Sequence, residues 1–189
     1  MSLLTTIVFL HMTAGSLQLS VDGTTPYVIT LAEDAIPAER TAASELQHYL
    51  GRITGAVFPV SPEDEVPVDV PQIVVGPSAR FRGAFPMIDT TSLPGDTIFI
   101  KTQGQQLYLA GSRPRGTLYA VYTFLEDVVG CRWWTSTEDH VPVVPSLVIP
   151  PLDVAYTPKL LYREAFYRDA FDGVFAARLK CNGHFEKIP

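Results

Sequence analysis

The spacing of hydrophobic positions changes several times along the chain, and each change marks an element. Leu17, Leu19 and Val21 alternate with polar residues up to Asp22-Gly23, and a second apolar stretch, residues 27–31, follows the turn. Apolar strands on both sides of Asp-Gly predict a β-hairpin, because that dipeptide accepts the positive φ angles of a tight turn. From Pro37 the period becomes helical, with Ala42, Leu46, Tyr49, Leu50 and Ile53 on one face. Pro37 suits a first helical position, where its missing N–H costs nothing. Glu33, Asp34 and Glu39 place negative charge near the positive end of that helix, and Gly55 offers a left-handed stop.

Residues 57–60 and 72–75 predict strands around an acidic, proline-rich loop at 62–69, whereas residues 77–95 show no clear period and read as loop. A second hairpin is predicted from residues 97–101 and 106–110 across Gln103-Gly104-Gln105. Residues 116–129 are apolar on nearly all sides, which predicts a helix buried between layers, ended by Gly130. Arg132-Trp133-Trp134 then opens an extended stretch that runs into residues 141–151.

This order predicts an α+β domain over residues 17–150, with a mixed or antiparallel sheet and two helices packed on one face. Pro142, Pro145, Pro150 and Pro151 lead into an expected linker at residues 151–159, since proline stiffens a connection and cannot feed a central strand. Residues 160–166 read as a new strand and residues 174–179 as a new helix. One strand and one helix cannot close a sheet, so residues 160–189 read as the first βα unit of a barrel, with Phe166, Phe171 and Phe175 left exposed.

Composition narrows the function classes. A length of 189 residues fits one domain with an attached piece, and 47% hydrophobic against 18% charged residues can bury a core. Fourteen Lys and Arg against twenty Asp and Glu leave a net charge of -6, which disfavours a nucleic-acid partner, because phosphate contact needs a basic face. Cys131 and Cys181 are too far apart for a Cys-x-x-Cys motif and leave open one disulfide or two buried thiols. His11, His48, His140 and His184 lack metal-ligand spacing, so no metal is expected. Residues 3–10 are apolar and precede the small residues Thr13 to Ser16. Residues 1–16 therefore read either as the end of a secretory signal, without its usual positive start, or as an ordinary first strand. A signal would place the protein in the periplasm or outside the cell. The run is too short to span a membrane, which takes about 20 apolar residues, and no other stretch qualifies.

Several segments share an order and spacing that carry a resemblance. They are Ala42-Ala43-Ser44-Glu45-Leu46 with Ile53-Thr54-Gly55, then Ile73-Val74-Val75-Gly76, and Gly111 with residues 115–122. Phe124-Leu125-Glu126, Gly130 and Arg132-Trp133-Trp134 continue the series, and Pro158 with Leu161-Tyr162-Arg163-Glu164 completes it. Together they resemble the N-terminal domain that precedes the catalytic barrel in bacterial glycoside hydrolases of families 20 and 67. The resemblance implies carbohydrate as substrate and glycosidic-bond hydrolysis as reaction, with the C-terminal barrel as the domain's partner. Glycosidases of this kind place their acid on later barrel strands, so this segment alone is expected to be inactive, with no catalytic residue and no cofactor. The reading to set against it is a carbohydrate-binding or protein-interaction module without hydrolysis.

The resemblance singles out Arg163, because family 20 enzymes carry an arginine on the first barrel strand that hydrogen-bonds sugar hydroxyls, although Glu164 stands where a glycine is usual. A guanidinium offers fixed paired donors for hydroxyls or a carboxylate, and it serves an interdomain salt bridge equally well. Glu164, Asp169 and Asp172 lie near the same expected strand end, as part of a sugar site or as solvated loop acids. Arg113 and Arg115 stand at the start of the second long helix, where the backbone already favours an anion. Either an acidic ligand or a partner carboxylate would suit them. Trp133 and Trp134 invite sugar stacking, but neighbours on a strand point to opposite sides, so at most one can line a surface. No Walker, dinucleotide or Gly-x-Ser-x-Gly motif is present.

Overall fold

The structure, a computed structural model, describes residues 15–183. The reading of residues 1–16 as leader or strand falls almost wholly outside that span, as do His11 and His184. Among the described residues there are ten strands: β1 (Leu17–Gln18), β2 (Val28–Leu31), β3 (Val60–Pro62), β4 (Gln72–Val75), β5 (Ile98–Gln103), β6 (Gln106–Gly111), β7 (Arg132–Trp133), β8 (Asp139–His140), β9 (Val148–Ile149) and β10 (Asp153–Tyr156). The α-helices are α1 (Pro37–Thr54), α2 (Ala79–Ala84), α3 (Gly116–Thr123) and α4 (Gly173–Arg178).

Six strands form a mixed sheet in the order β10-β5-β6-β4-β2-β3, with β3, β2, β4 and β6 parallel and β5 and β10 antiparallel. Ile29, Leu31, Ile73, Val75, Ile98, Ile100, Leu107 and Leu109 point to the face covered by α1 and α3 and form the main core there. The mixed sheet with two helices on one face is thus the architecture that the sequence predicts.

Local chemistry explains the helices. Pro37 opens α1, Glu39 Oε2 accepts from Ile36 N at 3.0 Å, and Gly55 closes the helix at φ +76°. One face of α1, from Ala42 through Leu46 and Leu50 to Ile53, is buried. The expected all-round burial of the second long helix appears in α3, which continues as a π-helical stretch, Phe124–Val129, up to Gly130 at φ +98°. The β5–β6 hairpin turns at Gly104 with φ +59°, the positive φ expected at the first central position of a two-residue turn.

Four readings need correction. The Asp22-Gly23 turn forms, with φ of +46° and +77° and a Val21–Thr24 bridge, but its flanks do not pair with each other. β1 pairs with β9, while β2 lies between β3 and β4. Alternation identifies a strand but not its partner, and the largely buried β2 suits a central parallel position. Within residues 77–95, read as loop, lies α2, too short at six residues to show a period. Its Phe81 packs on the opposite sheet face with Val74, Phe99, Tyr108 and Ala110. The stretch read as a linker, residues 151–159, contains β10, an edge strand of the sheet, where proline-flanked strands are tolerated. Residues 160–166 form no strand, so no barrel unit is seen. α4 does form, but Phe175 is buried in the main core, whereas Phe166 and Phe171 are exposed as expected.

Candidate functional site

The site begins with two glycines. A Cβ on Gly111 would lie 2.4 Å from both Gly116 C and Thr97 O, and one on Gly116 would lie 2.3 Å from Thr97 O. Only glycine lets the β6–α3 loop close on the start of β5, where Ser112 N donates to Thr97 O at 2.9 Å and Thr97 N to Ser112 Oγ at 3.0 Å. This contact sets Arg115, at the start of α3, beside Asp96.

Asp96 is the centre of the arrangement. It is 3% exposed and takes a left-handed φ of +59° that Asp tolerates better than most residues. Arg115 Nε donates to Oδ1 at 2.9 Å, Arg163 Nη2 to Oδ2 at 2.6 Å, and Asn182 Nδ2 to Oδ2 at 2.9 Å. Burial works against the charged carboxylate, but the hydrogen bonds from Arg115 and Arg163 outweigh it and hold the pKa below 3.8. An ionised carboxylate with both oxygens engaged is an acceptor and not a proton donor.

Around it, residues 160–183 fold back on themselves. Arg163 donates from Nε to Lys180 O at 3.0 Å and from Nη1 to Leu160 O at 2.8 Å, while its backbone N donates to Asn182 Oδ1 at 2.8 Å. The Arg163 guanidinium also lies 5.9 Å from the centre of the Tyr119 ring, and the Tyr119 hydroxyl donates to Cys181 O at 2.8 Å. Burial, followed by the charge of Asp96, pushes the Tyr119 pKa up to about 12. Beside this clamp opens a cleft of about 520 Å³, lined by Ile98, Val154, Tyr156, Leu179, Lys180 and Asp127 among others.

A second set of contacts holds α4. Arg178 Nη2 donates to Glu45 Oε2 of α1 at 3.1 Å, and the guanidinium stacks near Tyr49 and Trp133, 5.6 and 6.0 Å from their ring centres. Trp133 Nε1 donates to Tyr49 Oη at 2.7 Å, which puts Trp133 in the core while Trp134 is exposed. Lys180 pairs with Glu126.

The residues singled out from the sequence do not gather in one place. Arg163 and Arg115 meet at Asp96, whereas Arg113 binds the buried Glu39 from Nε at 2.9 Å and from Nη2 at 3.1 Å. Glu164 accepts from the Tyr162 hydroxyl. Asp169 accepts from Ser136 N and Oγ, both at 2.5 Å, and Asp172 caps α4 by accepting from Phe175 N at 2.8 Å. Cys131 and Cys181 are both free thiols, the first buried with its pKa raised to about 11 by that burial. Among the described residues, no group of three or more His, Cys, Asp or Glu side chains is placed to hold a metal ion. Nor is any helix long and apolar enough to cross a membrane. Sequence reasoning missed Asp96, Asn182 and the Glu45–Arg178 pair. The one local signal was Pro94-Gly95-Asp96, a turn sequence directly before an apolar strand.

No protein-family model matches the sequence, and a search of curated proteins returns no match. Among solved structures, the chain is similar to BtGH115A, described as a family GH115 4-O-methyl-alpha-glucuronidase with specificity for decorated arabinogalactans. That likeness has a TM-score of 0.50 at 17% identity and covers 79% of this chain and 19% of the other. A weaker likeness, TM-score 0.40 at 11% identity, is to CpGH84D and covers 58% of this chain and 18% of that one. By the first likeness the fold resembles part of a glycoside hydrolase, and the chain spans about a fifth of the length of the structures it matches.

Proposed function

We propose that this chain is the noncatalytic N-terminal domain of a bacterial glycoside hydrolase and that it braces the segment leading into a catalytic barrel. The observation that carries the reading is the Asp96 clamp. One buried carboxylate grips Arg115 of the domain together with Arg163 and Asn182 of the following segment. Arg178 on Glu45, Lys180 on Glu126 and the buried Phe175 hold the same segment at further points. In this reading Arg163 serves the joint between domains. The fold likeness to part of a much longer glycosidase supports it, as does the resemblance of its segments to the N-terminal domains of families 20 and 67.

Limited proteolysis tests the clamp. Asp96→Asn keeps the side chain's size and removes its charge, so residues 157–183 are expected to be cut several-fold faster while residues 17–156 stay protected. Unchanged cleavage of the segment would remove the main support for a bracing role.

A further inference from the structure

The clamp contains the only asparagine of the chain, Asn182, and a glycine follows it directly. Asparagine before glycine is chemically labile, because a residue without Cβ lets its backbone nitrogen reach the preceding side-chain carbonyl carbon. Gly183 N, after losing its proton to solvent base, attacks Asn182 Cγ. A C–N bond forms and closes a cyclic imide, while the Cγ–Nδ2 bond breaks and Nδ2 takes up a proton to leave as ammonia. Water then adds to either imide carbonyl and opens the ring to aspartate or isoaspartate.

The folded arrangement opposes each part of that reaction. Asn182 is 1% exposed, which keeps base and water away. Its Nδ2 donates to Asp96 Oδ2 and to Leu161 O, both at 2.9 Å, and its Oδ1 accepts from Arg163 N at 2.8 Å. The attacking nitrogen is engaged as well, since Gly183 N donates to Arg163 O at 3.1 Å and Asn182 N donates to the same oxygen at 2.8 Å. Turning Cγ toward Gly183 N breaks these bonds inside a buried site, so the reaction waits for the segment to open.

The product cannot return to its place. A carboxylate has no N–H for Asp96 Oδ2 or Leu161 O, and it sets a second negative charge against a carboxylate that is 3% exposed. We infer that Asn182–Gly183 is a deamidation site that the Asp96 clamp holds shut, and that its reaction turns a transient opening of the joint into a permanent one. The site rests on the same clamp as the bracing role, but that role does not require any chemical change.

The full chain is incubated in mildly alkaline buffer, native and unfolded in urea, and deamidation is followed by intact mass and by peptide mapping. A single asparagine makes the mass change specific to one position. The native chain is expected to react about tenfold or more slowly than the unfolded one. Asp96→Gly, which suits the left-handed backbone and adds no asparagine, is expected to react at a rate between them. Asn182→Asp, which carries the product's charge from the start, is expected to lose residues 157–183 to protease several-fold faster than the wild type. Equal rates in the native and unfolded chain overturn the inference, and that comparison needs no variant. So does wild-type protease resistance in Asn182→Asp. If Asp96→Gly exposes the segment to protease yet deamidates at the wild-type rate, the inference fails and bracing stands. If Asp96→Gly changes neither, both fail.

Discussion

At the scale of single residues, Asp96 shows how the same burial that penalises a charge makes it useful. The carboxylate is 3% exposed, and Arg115 and Arg163 beside it are 17% and 20% exposed, so their attraction is little screened by solvent. Losing one partner of such a group costs about 3 kcal/mol, because the remaining charges stay desolvated. The pKa of Asp96 is lowered in the folded protein, so its contribution is complete above the ordinary 3.8 and fades as the pH falls through the folded value. Asn also tolerates the left-handed backbone of this position, which separates the charge from the conformation. Asp96→Asn is therefore expected to lose about 3 kcal/mol at pH 7 in urea denaturation. That gap should narrow as the pH drops below 3.8. A gap of equal size at pH 7 and pH 3 would show that the charge is not what stabilises the clamp.

At the scale of elements, the joint between β5, β6 and α3 depends on backbones in direct contact. Thr97 O would lie 2.3 Å from a Cβ on Gly116, and both groups belong to main chain that cannot swing aside. Gly116→Ala is expected to destabilise the protein by about 2 kcal/mol or more through overpacking, whereas Gly83→Ala, in α2 with open space beside it and no positive φ, disturbs no neighbour. Comparison of their melting temperatures checks this, and equal losses would contradict it. These elements were legible in the sequence because their signals are local: the helical stripe of α1 with Pro37 and Gly55, the glycine turn of β5–β6, and the apolar α3. The partners were not legible. β1 meets β9 across most of the chain, and β10 joins the sheet although prolines precede it, because pairing is decided by long-range packing that no local period encodes. The clamp was half legible. Arg115 and Arg163 stood out as cations, but the acid that joins them lies just after a stretch without periodicity and outside the strand predicted from residue 97, and only the fold brings Asn182 to the same point.

At the scale of the whole molecule, the question is whether the domain could cleave a glycosidic bond by itself. Hydrolysis of the usual kind needs two carboxyl groups flanking one bond, about 5 to 9.5 Å apart, one of them able to give a proton to the leaving oxygen. The 520 Å³ cleft is lined by two carboxyl residues, Asp96 and Asp127. Asp96 is disqualified as the acid, since its pKa is held down and its oxygens already accept from Arg115, Arg163 and Asn182. Asp127 is exposed and then, among the described residues, has no partner carboxyl in the cleft that could share the work. The chain of 189 residues is accordingly expected to release no detectable nitrophenol from aryl glycosides between pH 4 and pH 8. A carbohydrate-binding module would give the same blank and must be separated by calorimetric titration with a neutral oligosaccharide, where a bracing domain gives no heat of binding. Turnover that disappears in Asp127→Asn would overturn the noncatalytic reading, because it would place a working acid in the cleft beside a clamp that cannot supply one.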